Sequence, residues 1–344
     1  MPHKAIDHRR REPAPGVLRL VLPLPFPGLD RVNVYLIEDG DNVTLVDCGI
    51  HFPEGDRDHG WPDLVEAMDG AGWKPSQIDR VVVTHHHIDH YGLAGRVIDE
   101  TGAELWMHEH ANAELEHYRD PERRRARLAA TLAEHGVPKE DIDELTSFED
   151  WRVFVSKIVE AHRWLKGDET FSVGEREWQF VYTPGHAWSH ICLWSPDDRL
   201  LISGDHLLPT ITPHIDFERL GKEDPLEDFL ESLERVERLD PALVLPGHGH
   251  PFEEGAERAR VVIRHHERRL GSILQVIRRR PHTVNYITDE IWGEDLLNFH
   301  RRLALGEALA HVAYLLRRGE IETVESEDEV RQYKKVSRPR PESG

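Results

Sequence analysis

The sequence predicts an α/β layered domain followed by a small, mostly helical one. Two observations carry this expectation. Short β-branched runs alternate with segments of helical apolar spacing through the first third of the chain, a rhythm that fits helices laid on sheets rather than sheets alone. Strand-like runs then return between about 177 and 247, after which the texture is mostly helical to the end.

The elements follow in order. "GVLRLVLPLP", "RVNVYLIE" and "VTLVDCG" read as strands, with "DGDN" as the turn between the last two. "WPDLVEAMDGAG" has helical spacing, "IDRVVVT" returns to strand, and "YGLAGRVIDETG" reads as a helix stopped at Gly102 before the strand "AELWMH". From about 109 to 170 the chain becomes charged and helix-forming; Trp151, Phe154, Ile158 and Leu165 recur there at helical spacing. "EWQFVYTPGH" is a strand, and "HICLWSPDDRLLISGD" is a hairpin turning at "SPDD". A helix near 225 to 239 precedes the strand-like "ALVLPGHGHPF". The tail gives a helix in "VVIRHHERRLGSILQVIRRR", a short one through "YITDEIW", a third in "GEALAHVAYLLRR" and a hairpin-like "GEIETVE". That order suggests a winged-helix-like domain at 256–336, behind a first domain at 15–255 that contains the helical insertion 109–170. The final "SRPRPESG" is expected to fray.

Composition narrows the function classes. The 344 residues carry 43 basic and 64 acidic side chains, a net charge of −21, which repels nucleic-acid backbones and anionic membranes over the surface at large. The tail is locally more basic, through Arg278, Arg279, Arg280, Arg301, Arg302, Arg317 and Arg318. It lacks aromatics interleaved for base stacking, so arginines solvating helix faces are the simpler reading. "MPHKAIDHRRREPAPG" has no apolar core of a secretory signal, and no run approaches the roughly 18 apolar residues of a membrane span. Cys48 and Cys192 sit in apolar strand-like segments and read as buried thiols of a cytoplasmic protein. Homo-oligomerisation stays open.

The chemistry is concentrated at strand ends. "VVVTHHHIDHYG" delivers His85, His86, His87, Asp89 and His90 to one turn, where His85 and His87 can face one metal ion while Asp89 and His90 face a neighbouring one. Imidazole and carboxylate suit Zn(II), and also Fe(II) or Mn(II). His186 ends "QFVYTPGH", Asp205 ends "LLISGD" and His248 ends "LVLPGHG", each directly after a glycine. Strand ends along one sheet edge are where layered α/β folds place their sites.

"HHHIDH" contains His-x-His-x-Asp-His, and with "TPGH", "GD" and "PGHG" in this order the chain resembles the metallo-β-lactamase-fold hydrolase superfamily over residues 15 to 255. The resemblance implies an αββα sandwich holding two divalent metal ions, zinc first among them. By that resemblance His85, His87 and His186 bind the first metal, Asp89, His90 and His248 the second, and Asp205 bridges them. Asp47 in "LVDCG" matches the family's early aspartate, a support for the ligand loops. The tail is similar to the winged-helix-like domain of a glyoxalase-II-like branch that includes endoribonucleases; it does not resemble the glutathione-binding domain of true glyoxalase II.

A pair of metals about 3.5 Å apart can hold a hydroxide that attacks a carbonyl, with Asp89 orienting the nucleophile and passing its proton to the leaving group. Neither cysteine matches the cysteine ligand of the true β-lactamases, and no phosphate-binding glycine loop supports a flavin-dependent diiron oxidoreductase. The expected substrate is a small acyl thioester, ester or lactone. Tyr91, Tyr118, Trp151, Trp164 and Trp188 are candidates for its apolar pocket, with His110 and His214 as further pocket candidates. A metal-dependent ribonuclease is the first alternative; a nucleic-acid-binding scaffold with a vestigial metal site is the second. His86 is expected to point away from the metals. His190, His206 and His250 read as supports or exposed side chains, and His265 and His266 as solvated residues of a charged helix.

Overall fold

The computed structural model describes residues 12–26, 28–52, 60–147, 150–217, 224–325 and 330–336. The start of the chain and the final "SRPRPESG" lie outside the described residues.

Six strands form the first sheet in sequence order: β1 (Val17–Phe26), β2 (Leu29–Asp39), β3 (Asn42–Val46), β4 (Ile78–Val82), β5 (Glu104–His108) and β6 (Arg163–Leu165). β1 to β3 are antiparallel neighbours, and β3 to β6 run parallel. Six more form the second sheet, in the order β12 (Phe252–Glu253), β11 (Leu243–Pro246), β10 (Leu200–Gly204), β9 (Ile191–Ser195), β8 (Arg176–Tyr182) and β7 (Thr170–Val173).

The period-2 alternation of the first sheet sorts its side chains between two cores. Val34 and Leu36, Val81 and Val83, and Leu105 and Met107 face a core shared with Leu64, Met68, Leu93 and Val97. Those last four come from α1 (Trp61–Gly70) and from the end of α2 (Ile88–Tyr91) into α3 (Ala94–Thr101). Tyr35, Ile37, Val46, Val82 and Trp106 point the other way, into a core with Trp178, Phe180, Leu193, Ile202 and Leu245 of the second sheet. Two sheets face to face, with helices on the outside, make the expected αββα sandwich.

The remaining helices are α4 (Ala111–Glu114), α5 (Glu116–Arg119), α6 (Pro121–Glu134), α7 (Lys139–Leu145), α8 (Pro225–Leu239), α9 (Gly255–Val276), α10 (Val284–Trp292) and α11 (Asn298–Arg317), followed by the hairpin β13 (Ile321–Glu325) and β14 (Arg331–Lys335). The chain forms two compact units: 1–120, 150–213 and 228–262, and 121–149, 214–227 and 263–344. In the second unit Ile273, Ile277, Val284, Ile287, Leu309, Val312 and Tyr333 make one core, while Leu132, Ile142 and Leu145 pack with Leu305 of α11. Residues 121–149, read from sequence as part of an insertion in the first domain, therefore cluster with the C-terminal helices.

The stretch 151–165 departs from the expected helix. Trp151–Phe154 is a single 3-10 turn, and Arg163–Leu165 is an edge strand pairing parallel with Trp106–His108. Val153, Val155, Ile158 and Val159 are β-branched, and apolar residues three, four and seven apart can also seat an irregular segment against a core. Both cysteines are free and buried, as expected. Among the described residues no helix is long and apolar enough to cross a membrane.

Candidate metal centre

The residues of the candidate centre lie in the turns that follow β3, β4, β8, β10 and β11, with Asp89 and His90 in the short helix α2. β3 ends one residue before Asp47, whose left-handed backbone (φ 62°) is a conformation that aspartate tolerates better than most residues. Its Oδ1 accepts from the Thr84 backbone N–H at 2.8 Å and lies 3.0 Å from the Thr84 hydroxyl, and its Oδ2 accepts from His90 Nδ1 at 2.8 Å. The Thr84 hydroxyl, donating to this carboxylate, accepts from His85 Nδ1 at 3.0 Å. Donation at Nδ1 orients the rings of His85 and His90, so both turn Nε2 inward, the atom left to hold a cation.

The loop bearing His248 is fastened by the first sheet. Asn33 Nδ2 donates to the carbonyls of Pro246 at 2.8 Å and Gly249 at 2.9 Å, and the Asn33 N–H donates to Gly247 O at 2.7 Å. Tyr35 Oη donates to Pro246 O at 2.7 Å, and Arg19 Nη2 to Gly249 O at 2.8 Å. His248 Nδ1 then donates to Arg31 O at 2.8 Å, which turns its Nε2 inward as well.

The inward atoms converge. His85 Nε2 and His87 Nδ1 are 3.0 Å apart, and with His186 they form one group whose donor atoms lie within 4.8 Å of one another. Asp89, His90 and His248 form a second such group; His85, His90 and Asp205 link the two. Asp205 Oδ1 is 3.4 Å from His90 Nε2, and its Oδ2 is 3.3 Å from His248 Nε2 and 3.7 Å from His186 Nε2. Asp89 Oδ2 is 3.1 Å from His248 Nε2 and 3.7 Å from His90 Nε2. Two bonds of 2.0–2.1 Å at a tetrahedral angle place donor atoms about 3.3 Å apart, the spacing seen here.

Electrostatics point the same way. Burial drives His85 and His87 well below the usual histidine pKa, helped by their neighbouring imidazoles, so both keep a lone pair. At His90 burial works in the same direction, but Asp89, Asp205 and Asp47 overcome it and raise the pKa well above normal. At His248 burial is again opposed, chiefly by Asp205 and then by Asp89, and the pKa rises to about 10. Burial also works to raise Asp205, yet His248 and His90 hold it well below the usual carboxylate range. His90 Nε2, His248 Nε2 and Asp205 Oδ1 are buried and make no hydrogen bond of acceptable geometry. Buried imidazole nitrogens facing carboxylates need a positive charge between them, a proton or a metal cation in its place. The donor set of five imidazoles and two carboxylates fits two divalent cations.

The other predicted residues fall into place around this cluster. His86 turns away to Glu114 (Nδ1 to Oε2, 3.2 Å), and His190 donates through Nδ1 to Thr183 Oγ1 at 2.8 Å while its Nε2 accepts from the Asp205 N–H at 3.2 Å. His206 is buried beside Phe229, and burial pushes its pKa down to about 3; His250 is exposed, 3.5 Å from Arg19 Nη1. Tyr91, a pocket candidate, belongs to the core: it is fully buried, its hydroxyl donating to Val159 O at 3.0 Å and accepting from Val159 N at 2.8 Å. Tyr118 is buried with its hydroxyl on His86 O at 2.9 Å. Trp151 and Trp164 pack against the first core, Trp151 edge-on to Phe26 at 5.9 Å. Trp188 is half-buried and stacks on His110 at 3.9 Å. His214 lies in the second unit.

Glu114, which no motif in the sequence marks, braces the loop that follows His186. It is buried, and its carboxylate accepts from the backbone N–H groups of Trp188 at 2.7 Å and Ser189 at 3.1 Å, just past His186. Burial acts to raise its pKa, but His86 and these donors hold it below normal. Gln at this position keeps the shape and loses the charge and one acceptor. Glu114→Gln is expected to weaken metal binding by roughly 10–100-fold, the cost of losing an outer support. Competition against a chromophoric chelator checks this; a change under twofold would reduce Glu114 to packing.

Comparison with known proteins agrees with this geometry. The model of the metallo-beta-lactamase superfamily matches residues 27–248, and that of the metallo-beta-lactamase-like C-terminal domain matches residues 270–336. The probable metallo-hydrolase YqjP of Bacillus subtilis is 32% identical over 249 residues, 69% of this chain and 72% of that protein. The acyl-coenzyme A thioesterase MBLAC2 of Homo sapiens is 26% identical over 239 residues, 67% of this chain and 76% of that protein. Among solved structures, a metallo-beta-lactamase family protein from Thermus thermophilus superposes with a TM-score of 0.81 at 28% identity, covering 94% of this chain and 99% of that one. A beta-lactamase domain protein from Burkholderia ambifaria gives 0.79 at 32% identity, covering 94% of each chain.

Proposed function

The chain belongs to the metallo-beta-lactamase superfamily, and from that premise we propose that it is a dinuclear-metal hydrolase of small acyl thioesters and esters, lactones included. His85, His87 and His186 would hold one cation and Asp89, His90 and His248 the other, with Asp205 between them. Zinc is the first candidate, given imidazole-rich donors. Bound there, the pair would supply Lewis acidity and a nucleophile derived from water at neutral pH.

The observation that carries this reading is the inward convergence of buried donor atoms that carboxylates and burial leave in need of cations. Asp89, with one oxygen 3.1 Å from His248 Nε2, is placed to orient the nucleophile and take its proton for the leaving group. Asp47, Thr84 and His190 hold ligand rings and backbone in place. Trp188, stacked over His110 and two residues past His186, is proposed to flank the acyl group. The activity named for the human relative, acyl-coenzyme A hydrolysis, supports a thioester as the first substrate to try. Two buried thiols suit a reducing cytoplasm.

The test is a panel of acyl-coenzyme A esters, lactones and single-stranded RNA offered to chelator-stripped protein before and after Zn(II) is restored. Thiol release should appear only with metal and fall by about 10²–10³-fold in Asp89→Asn, the range for losing a group that acts in the transition state. Metal-dependent RNA cleavage with steep salt dependence and no thioester turnover would sink the acyl reading in favour of phosphodiester chemistry.

A further inference from the structure

A second set of potential ligands lies wholly within the helical unit. His266 of α9 and His311 of α11 are fully buried, with His266 Nδ1 and His311 Nε2 3.1 Å apart and the rings tilted by 32°. The charged residues around His266 predict a solvated helix face for it. It sits instead on the stripe of Ala259, Val262, Ile273 and Ile277, all buried, at intervals that return to one helix face.

Glu307 stands one turn before His311 on α11, so the two side chains share a face. His311 Nδ1 donates to the backbone carbonyl of Glu307 at 2.7 Å, which leaves its Nε2 with a lone pair aimed at His266. A backbone carbonyl on the outer nitrogen is the arrangement that orients metal-bound histidines. One oxygen of the Glu307 carboxylate and the two imidazole nitrogens all lie within 4.8 Å of one another. Burial pushes His266 down to about 2 and His311 down to about 4, so both stay neutral; His266 Nδ1 donates to His311 Nε2, and a bound cation would take the place of that shared proton. Burial raises Glu307 as well, against Arg269 and His265, so its carboxylate gains from a compensating cation.

We propose that His266, Glu307 and His311 form a further cation site, taking one divalent transition ion such as Zn(II) through two imidazole nitrogens and a carboxylate oxygen and tying α9 to α11. Glu307 is the half-buried member of the three. The site shares no residue with the sheet-edge centre, so it stands or falls independently of the hydrolase reading.

Full-length chain carrying His87→Ala, Asp205→Asn and His248→Ala, which removes a ligand from each half of the sheet-edge centre and the aspartate between them, is stripped with chelator, dialysed against micromolar Zn(II) and assayed for zinc per chain. One equivalent should remain, and adding Glu307→Gln should weaken it by at least about tenfold, since losing a ligand costs no less than losing an outer support. Glu307→Gln keeps the backbone carbonyl that holds His311, so the helix pair survives. In the otherwise native chain, Co(II) difference spectra should show a ligand-field band that the same single substitution removes. No zinc retained in the disabled background, or Co(II) spectra unaltered by Glu307→Gln, would overturn the proposal and leave the two histidines as a hydrogen-bonded pair.

Discussion

Asp205→Asn is expected to lower kcat/KM for thioester hydrolysis on the order of 10³-fold, about 4 kcal/mol of transition-state stabilisation. Among the described residues Asp205 alone lies near three ligand imidazoles: its two oxygens reach His90 at 3.4 Å, His248 at 3.3 Å and His186 at 3.7 Å. Asparagine preserves the volume but removes the charge and replaces one oxygen with an N–H₂ donor, which cannot ligate a cation. Metal content should fall with activity, from two ions per sheet-edge centre towards one or none. The fold should persist, because His90 and His248, whose protons Asp205 helps to hold, can give them up and stand neutral beside a neutral amide. Elemental assay and circular dichroism on the same sample check the two halves. Full metal content in Asp205→Asn would remove Asp205 from between the cations.

Much of the candidate site was legible because its chemistry restricts residue choice. Strand-ending histidines and aspartates preceded by glycine have few structural uses, so "HHHIDH", "TPGH", "GD" and "PGHG" marked the sheet edge before any coordinates did. The strands were legible for a different reason: each face of the first sheet is buried in its own core, which demands the β-branched runs of β2, β3 and β4. What stayed hidden depends on distance in sequence. Glu114 is one acid in a charged stretch, and only the folded chain brings it to the Trp188 and Ser189 N–H groups. Asn33 and Arg19 look like ordinary strand polar residues, yet they anchor the loop of His248 more than 200 positions away. Trp151 to Leu165 carried apolar spacing that satisfies a helix and an irregular edge alike, and pairing with β5 decided between them. His266 was masked by the charges beside it, although the burial of Val262 and Ile273 on the same stripe held the signal.

Gly247→Ala should abolish metal binding with a single methyl group that touches neither metal nor substrate by design. The backbone of Gly247 is not left-handed, so alanine meets no conformational penalty there, in contrast to Gly185 at φ 134° with the Phe229 backbone against it. Space is what forbids the side chain. A Cβ on Gly247 would stand 2.3 Å from Asp205 Oδ1, 2.8 Å from His90 Cε1 and 3.2 Å from the Gly204 carbonyl carbon. The loop cannot back away, because Asn33, Tyr35 and Arg19 hold the carbonyls of Pro246, Gly247 and Gly249. His90 cannot yield either, its ring being fastened to Asp47 at 2.8 Å. The short Asp205 side chain must therefore rotate out of the cluster, and overpacking of this kind costs about 1–3 kcal/mol of stability. The expected signature is a modest drop in melting temperature with a loss of metal and activity as deep as in Asp205→Asn. Gly247→Ala with its metal content intact would show that Asp205 has room to move and that the close packing around it is not what positions the centre.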